Sequence, residues 1–251
     1  MIKRRSYVLS DQWKLQVAGL SNHKKPYNWL LCTLFIFLVF CCFQSGKALL
    51  ANLHFYAAKN IIKLLQDGDV DAFNTDLSSA QKHAEEAVSL HGDLALYTDM
   101  VSTIKQWQAY TSNDSEKVKL LLDEAETLNL VSLRNRPGWP VTWANLVYIK
   151  WHKKEFDDDF LRYIQFASKY GPNTPEVHDV IARIGLYLFE SDARLFLSLK
   201  DIVKQHIIRG FNHPKTKRTL VNVVNDSAAR IMVCSWLNDS FENENLALSC
   251  K

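Results

Sequence analysis

An uncharged stretch of 21 residues, at positions 26–46, constrains the fold of this chain more than any other feature. It reads PYNWLLCTLFIFLVFCCFQSG and is apolar around the whole helical circumference. As a helix it would span about 31 Å, which is the thickness of the hydrocarbon core of a bilayer. Tyr27 and Trp29 lie near its start, where interfacial aromatic residues are common. The stretch predicts one transmembrane helix, and no later stretch in the sequence is long and apolar enough to predict a second.

The charges around this stretch predict its orientation. Residues 1–25 carry six basic side chains and one acidic side chain, whereas only Lys47 closely follows the span. The positive-inside rule therefore places residues 1–25 in the cytoplasm and the residues after 46 across the membrane. A cleaved signal peptide normally has a shorter basic segment and an apolar run of about 7–15 residues. We therefore expect an uncleaved, single-pass anchor rather than a signal peptide or a buried core helix.

The remaining sequence predicts an all-α fold. Only eight glycines and six prolines occur among 251 residues, about half of average usage, and a β-sandwich or barrel needs many more turns. Residues 26–251 carry 24 basic and 26 acidic side chains. This mildly acidic balance lacks the basic surface of a nucleic-acid-binding protein, so we expect no nucleic acid as partner.

Hydrophobic periodicity and turn residues divide the chain into segments. We expect a basic segment at residues 1–25, the membrane helix at 26–46, a membrane-proximal helix at 47–66, a helical domain at 67–237 and a polar tail at 238–251. Within the domain, antiparallel helix pairs follow one another, and a single helix over residues 216–237 closes the array.

Two of the predicted pairs resemble tetratricopeptide repeats. Trp143 and Leu146 followed by Phe160, Ile164, Ala167 and Pro172 match the repeat pattern with one residue inserted. The next pair contains Ile181, Ile184, Gly185 and Leu188 at the corresponding spacing. Pro140 and Pro175 begin the two units 35 residues apart. The pattern predicts a tetratricopeptide-like superhelix, whose concave surface would bind a peptide or another protein rather than perform bond chemistry.

Two clusters are candidate binding sites. Arg134, Arg136 and Trp139 lie in the connection before the first clear repeat, and arginine with tryptophan is typical of interaction hot spots. The alternative is that the tryptophans near residues 139–143 pack the joint between repeats. A basic patch near the end of the domain could bind anionic lipid or an acidic glycan, or could be an ordinary solvated surface; it comprises Lys204, Arg209, Lys215, Lys217 and Arg218.

No pattern in the sequence predicts catalysis, a cofactor or a metal site. The acidic run at residues 67–71 lacks the glycine and the glutamate that a calcium loop requires, and it is better explained as a turn. Cys32, Cys41 and Cys42 lie in the membrane stretch. Cys234 and Cys250 could form a disulfide in an oxidising compartment or could be two free thiols.

Residues 136–146, RPGWPVTWANL, resemble the VpsP-like family of membrane-anchored proteins associated with bacterial exopolysaccharide biosynthesis. The single N-terminal span and the helix pairs agree with this resemblance. It implies an inner-membrane protein with a periplasmic domain that works with integral membrane and periplasmic proteins of a polysaccharide machinery. It implies no catalytic residues.

The sequence thus leads to two hypotheses for function. The first is a non-enzymatic accessory or assembly factor for exopolysaccharide biosynthesis or export, acting by protein–protein interaction. The alternative is a membrane-anchored periplasmic chaperone of the tetratricopeptide type that escorts translocated proteins. An enzyme that modifies the polysaccharide is a third and weaker idea, because it would need a cleft with paired carboxylates.

Overall fold

The computed structural model describes residues 25–66, 73–238, 248 and 250. These residues form α-helices joined by short turns, and no β-strand occurs among them, which confirms the predicted all-α fold. In chain order the helices are α1 (Lys25–Gln66), α2 (Phe73–Leu90), α3 (Ala95–Thr111), α4 (Ser115–Asn135), α5 (Pro140–Lys153), α6 (Asp158–Tyr170), α7 (Pro175–Ser191), α8 (Ala193–Asn212), α9 (Lys217–Asn225) and α10 (Arg230–Asn238).

Helix α1 contains the predicted membrane stretch and continues past it without a break. Its large apolar side chains from Tyr27 to Phe43 are exposed, which is the opposite of what a core helix shows. Among the described residues α1 is the one helix long and apolar enough to cross a membrane. The chain divides after Leu50 into two compact units, and all the sites described below lie in the second unit. The acidic run at 67–71, the basic segment at 1–24 and most of the predicted tail lie outside the described residues.

The second unit is built from neighbouring helices that pack in pairs, as predicted. Helices α3 and α4, α5 and α6, and α7 and α8 form the closest pairs, and the short turns between partners make each pair antiparallel. The α1 side chains Ala58, Ile62 and Leu65 pack against α2 and α3 in a first apolar cluster. A larger cluster joins the helices from the end of α4 to α10. The helices therefore share buried surfaces from one pair to the next.

Most positions that matched the repeat pattern lie in the core, although Trp143 is half-buried and Pro172 is exposed. Leu146 and Phe160 are fully enclosed, and Ile164 and Ala167 pack beside them. Gly185 lies so close to α8 that a Cβ atom built on it would lie 2.4 Å from the Val203 side chain. Any larger residue at this position would push α7 and α8 apart, so the glycine is required by close helix packing.

Several helices begin at residues that are known to favour helix starts. Pro140 and Pro175 occupy the first turns of α5 and α7, where the missing proline N–H is not needed. Asp157 caps α6 by accepting a hydrogen bond from the Phe160 N–H at 2.9 Å. Thr174 occupies the cap position of α7 but makes no side-chain capping bond.

The prediction of a single helix over residues 216–237 is wrong. The structure forms α9 and α10 with a turn between them. Glu190 of α7 reaches this turn, and its carboxylate accepts hydrogen bonds from the Ala228 N–H at 2.9 Å and from the Ser227 hydroxyl at 3.3 Å. The Ser227 hydroxyl also accepts a hydrogen bond from the Ala229 N–H at 3.1 Å. The turn between α9 and α10 is therefore held by a local cap and by a contact with α7.

The C-terminal end of the described chain is attached to α10. Cys234 and Cys250 form a disulfide with a Cα–Cα distance of 5.8 Å, which answers the question that the sequence left open. Leu248 packs against the larger apolar cluster. These two residues of the predicted polar tail are therefore held to the helical domain.

A candidate ligand-binding groove

The first helices of three successive pairs, α3, α5 and α7, lie side by side and line a groove. The groove encloses about 430 Å³, within the range of small-ligand sites. Its lining consists of Thr103, Gln106, Trp107, Tyr110, Asn145, Tyr148 and Val180. None of these described lining residues carries a charge at neutral pH.

Three aromatic rings form the apolar part of the groove. Tyr110, in the last turn of α3, has 74% of its surface exposed, which is far more than a core aromatic residue would show. Its ring meets that of Trp107 edge to face, with centroids 5.9 Å apart. Tyr148 of α5 contributes the third ring and is half-buried. Exposed, rigid aromatic rings offer a large contact area at a low entropic cost.

The polar part of the groove consists of amides and hydroxyls. The Gln106 amide donates a long hydrogen bond of 3.4 Å to Ser102 of its own helix. Burial is the main cause that raises the pKa of Tyr148; nearby Tyr110 and Asp179 raise it further and Arg183 opposes them. The Tyr148 phenol therefore remains a neutral hydrogen-bond donor at physiological pH. The influence of Tyr110 also indicates that the two phenols lie near one another.

A second, smaller hollow continues the series at α5, α7 and α9. It encloses about 300 Å³, and Trp151, Tyr187 and Val223 contribute to its lining. This hollow is more charged than the groove, because Arg183, Glu190 and Asp226 also line it. The Lys154 ammonium lies 4.5 Å from the centre of the Tyr187 ring and donates a hydrogen bond to its hydroxyl at 3.0 Å. That hydrogen bond is the main cause that lowers the pKa of Tyr187.

The predicted cluster of Arg134, Arg136 and Trp139 lies at the connection between α4 and α5. Both arginines are exposed, and the Arg136 guanidinium stacks 3.6 Å from the centre of the Trp139 ring. The structure therefore joins Arg136 to Trp139 in a cation–π contact. Arg136 also lies close enough to lower the pKa of the buried Asp99 carboxyl, although burial raises that pKa overall.

Trp143 has a different environment from Trp139. Its ring packs on Tyr163 and Phe166 of α6, with centroids 5.7 and 4.7 Å away. Its indole N–H donates a 2.8 Å hydrogen bond to the Pro137 carbonyl. Trp143 thus fastens the connection to the α5–α6 pair, whereas Trp139 lies in the connection itself under Arg136.

The predicted basic patch lies on α8, α9 and the turn between them, away from the residues that line the groove. Lys204 and Arg209 are half-buried on α8, and the Arg209 guanidinium donates a 3.0 Å hydrogen bond to the Pro172 carbonyl. Lys215 and Arg218 are exposed, and Lys217 is half-buried. Part of the patch therefore supports the α6–α7 turn.

The densest charge cluster in the described chain has a structural role. Two lysines on the last turns of α5 contact four carboxylates from α4 and from the turn before α6: Lys150 and Lys153 with Asp123, Glu126, Glu155 and Asp157. Burial alone would lower the pKa of Lys150, but its hydrogen bonds to Asp157 and Glu155 raise it above the ordinary value. Lysines that stay charged and fully paired cannot serve as bases or nucleophiles, so this cluster joins helices.

The described residues contain no group of three or more histidine, cysteine, aspartate or glutamate side chains placed to hold a metal ion. Sequence reasoning missed the groove itself. Its aromatic residues come from helices about 40 residues apart, and only the packing of α3 beside α5 brings them together. One signal was available, because Thr103, Trp107 and Tyr110 follow the spacing of one helical face.

A comparison with protein-family models finds no match, and a comparison with curated proteins finds no significant relative. The resemblance of residues 136–146 to the VpsP-like family therefore enters only as support for a proposal.

Proposed function

We propose that this protein is a single-pass inner-membrane accessory or assembly factor for bacterial exopolysaccharide biosynthesis or export. It acts without catalysis, by binding partner proteins of the polysaccharide machinery. One observation carries the proposal: three neighbouring helices form a groove with one exposed and two half-buried aromatic rings and neutral hydrogen-bonding groups. Such a surface is suited to holding a ligand, and its described lining residues include no carboxylate, histidine, cysteine or lysine.

In this proposal the N-terminus is cytoplasmic and the helical domain is periplasmic. The excess of basic residues before the membrane stretch supports this orientation. The Cys234–Cys250 disulfide supports an oxidising compartment for the domain, because disulfides persist in the bacterial periplasm and are rare in the cytosol. The transmembrane part of α1 would contact integral membrane subunits.

A second contact surface is proposed at the α4–α5 connection. Arg136 stacked on Trp139 presents a rigid, cationic and partly apolar surface to solvent, which is the composition of many interface hot spots. The groove and this connection would allow the domain to hold two components of one assembly.

A deletion strain tests the proposed role. We expect loss of one secreted polysaccharide, restored by the wild-type chain but not by Tyr110→Ala present in membranes at the same level. Tyr170→Ala is the matched control, because Tyr170 is exposed on α6 and does not line the groove. Unchanged polysaccharide in the deletion strain would contradict the proposal. Unchanged polysaccharide together with general envelope stress would favour the chaperone alternative.

A further inference from the structure

The groove between α3, α5 and α7 has a composition that restricts the chemistry of its ligand. We propose that it binds an uncharged, extended segment of a partner protein that contains proline and adopts the polyproline II conformation. This inference rests on the proposed function, since it names the kind of segment that the same groove would hold.

The neutral lining of the groove favours an uncharged ligand. The lining residues of the groove are neutral, and the nearest charged pair balances itself, because the Arg183 guanidinium binds the Asp179 carboxylate at 2.8 Å. An acidic or basic segment would lose part of its hydration on entering the groove and would gain no opposite charge there. A neutral segment loses little hydration and matches the groove.

The length of the groove favours an extended ligand. The groove crosses three neighbouring helices, and packed helices lie about 8–10 Å apart, so a ligand that touches all three must span roughly 20 Å. Polyproline II rises about 3.1 Å per residue, and about six residues cover this distance. A ligand α-helix would need roughly twice as many residues and would hide its own carbonyl groups.

The groove wall carries both aromatic rings and hydrogen-bond donors, a combination that suits a proline-rich segment. The polyproline II backbone makes no internal hydrogen bonds, so its carbonyls are free to accept bonds from a protein surface. The amide of Asn145 and the phenols of Tyr110 and Tyr148 are donors on the groove wall. The edge-to-face rings of Trp107 and Tyr110 provide flat surfaces for proline rings. Aromatic-lined grooves that combine these features recognise proline-rich segments in other folds.

Entropy also favours such a ligand. A proline-containing segment already has the bound backbone conformation, so less conformational freedom is lost on binding. Proline residues also lack an N–H group, so a proline-rich backbone offers mainly acceptors, which the amide and phenol donors of the groove can pair.

The test uses the full chain in detergent micelles and measures binding by calorimetry and tryptophan fluorescence. The probes are a blocked oligoproline of about eight residues, a glycine–serine peptide of the same length, proline peptides with interspersed aspartate or lysine, and a neutral glucan oligosaccharide. We expect the oligoproline to bind at least about tenfold more tightly than each other probe, a difference typical of a single hot-spot contact.

Two variants assign the binding to the groove. Tyr110→Ala removes an exposed ring, so it should fold normally and weaken oligoproline binding about tenfold. Tyr170→Ala, at the exposed end of α6, should change binding less than twofold. Circular-dichroism melting verifies that both variants are folded.

Several results would overturn the inference: no oligoproline binding, equal binding of the glycine–serine or charged peptides, preference for the oligosaccharide, or equal binding by Tyr110→Ala. Each would leave the proposed function standing if the groove variant still failed to restore polysaccharide in the deletion strain. Conversely, the protein could bind oligoproline while the deletion strain still secretes a normal amount of polysaccharide. That result would support this inference and contradict the proposed function.

Discussion

Two buried histidines make the stability of the domain depend on pH. His178 of α7 and His206 of α8 are enclosed, and their Nδ1 atoms lie 2.8 Å apart, so one ring must donate a hydrogen bond and the other must accept it. Burial is the main cause that lowers the pKa of His178 to about 4 and that of His206 to about 3. Nearby Arg209 and His213 reinforce the shift of His178.

Because these folded-state pKa values lie below the unfolded value of about 6.5, the unfolded chain binds protons first as the pH falls. We expect full stability above about pH 7 and a loss of about 2 kcal/mol per histidine by about pH 5. Chemical unfolding at several pH values measures how the free energy of unfolding depends on pH, and the slope of that dependence is the quantity compared between variants. His206→Gln should flatten it, whereas substitution of the exposed His91 by Gln should not; an equal slope in all three proteins would contradict the assignment.

Two tryptophans four residues apart should differ in their effect on stability. Trp143→Ala removes a half-buried ring and a hydrogen bond that fastens the α4–α5 connection, so we expect a loss of about 3 kcal/mol. Trp139→Ala removes a half-buried ring whose cation–π contact with the exposed Arg136 is at the surface, and it should cost about 1 kcal/mol or less. Thermal unfolding compares the stabilities of the two variants. Equal losses of stability would mean that Trp139 also packs the joint between helix pairs.

At the scale of the helices, local sequence signals were sufficient where the helix ends depend on nearby residues. Pro140 and Pro175, which the sequence placed at the starts of the two repeat units, are the first residues of α5 and α7. The break between α9 and α10 was missed although turn-forming residues, Asn225 to Ser227, lie there and the Ser227 hydroxyl accepts a hydrogen bond from the Ala229 N–H at 3.1 Å. Glu190, about 38 positions earlier in the chain, adds a long-range contact to this turn. The groove was missed because its walls are contributed by three separate helices.

A substitution of Glu190 tests how much the contact from α7 stabilises the turn between α9 and α10. Glu190→Ala removes the acceptor for the Ala228 N–H and the Ser227 hydroxyl, so we expect a loss of about 1 kcal/mol, as for a helix cap. Hydrogen exchange should accelerate at the start of α10 and remain unchanged in α3. Glu86→Ala, an exposed change on α2, is the control; equal exchange at α10 in both variants would contradict the role of Glu190.

At the scale of the whole molecule, the orientation of the chain in the membrane can be measured. We expect a reporter that is active only in the periplasm to work when fused after Lys251. The Cys234–Cys250 disulfide should also be protected from alkylation in cells until a reductant is added. A reporter that is active only in the cytoplasm, with Cys234 and Cys250 alkylated without reductant, would reverse the proposed topology.

The most direct test of the central claim is site-specific photo-crosslinking in intact membranes. A benzoylphenylalanine residue is placed at Tyr110 in the groove, or at Tyr170 or Arg218 outside it. The account predicts a crosslink to one protein of the polysaccharide machinery from position 110, and its loss when excess oligoproline peptide is added to opened membranes. Crosslinks from position 170 or 218 with none from position 110 would contradict the claim that the groove is the binding site.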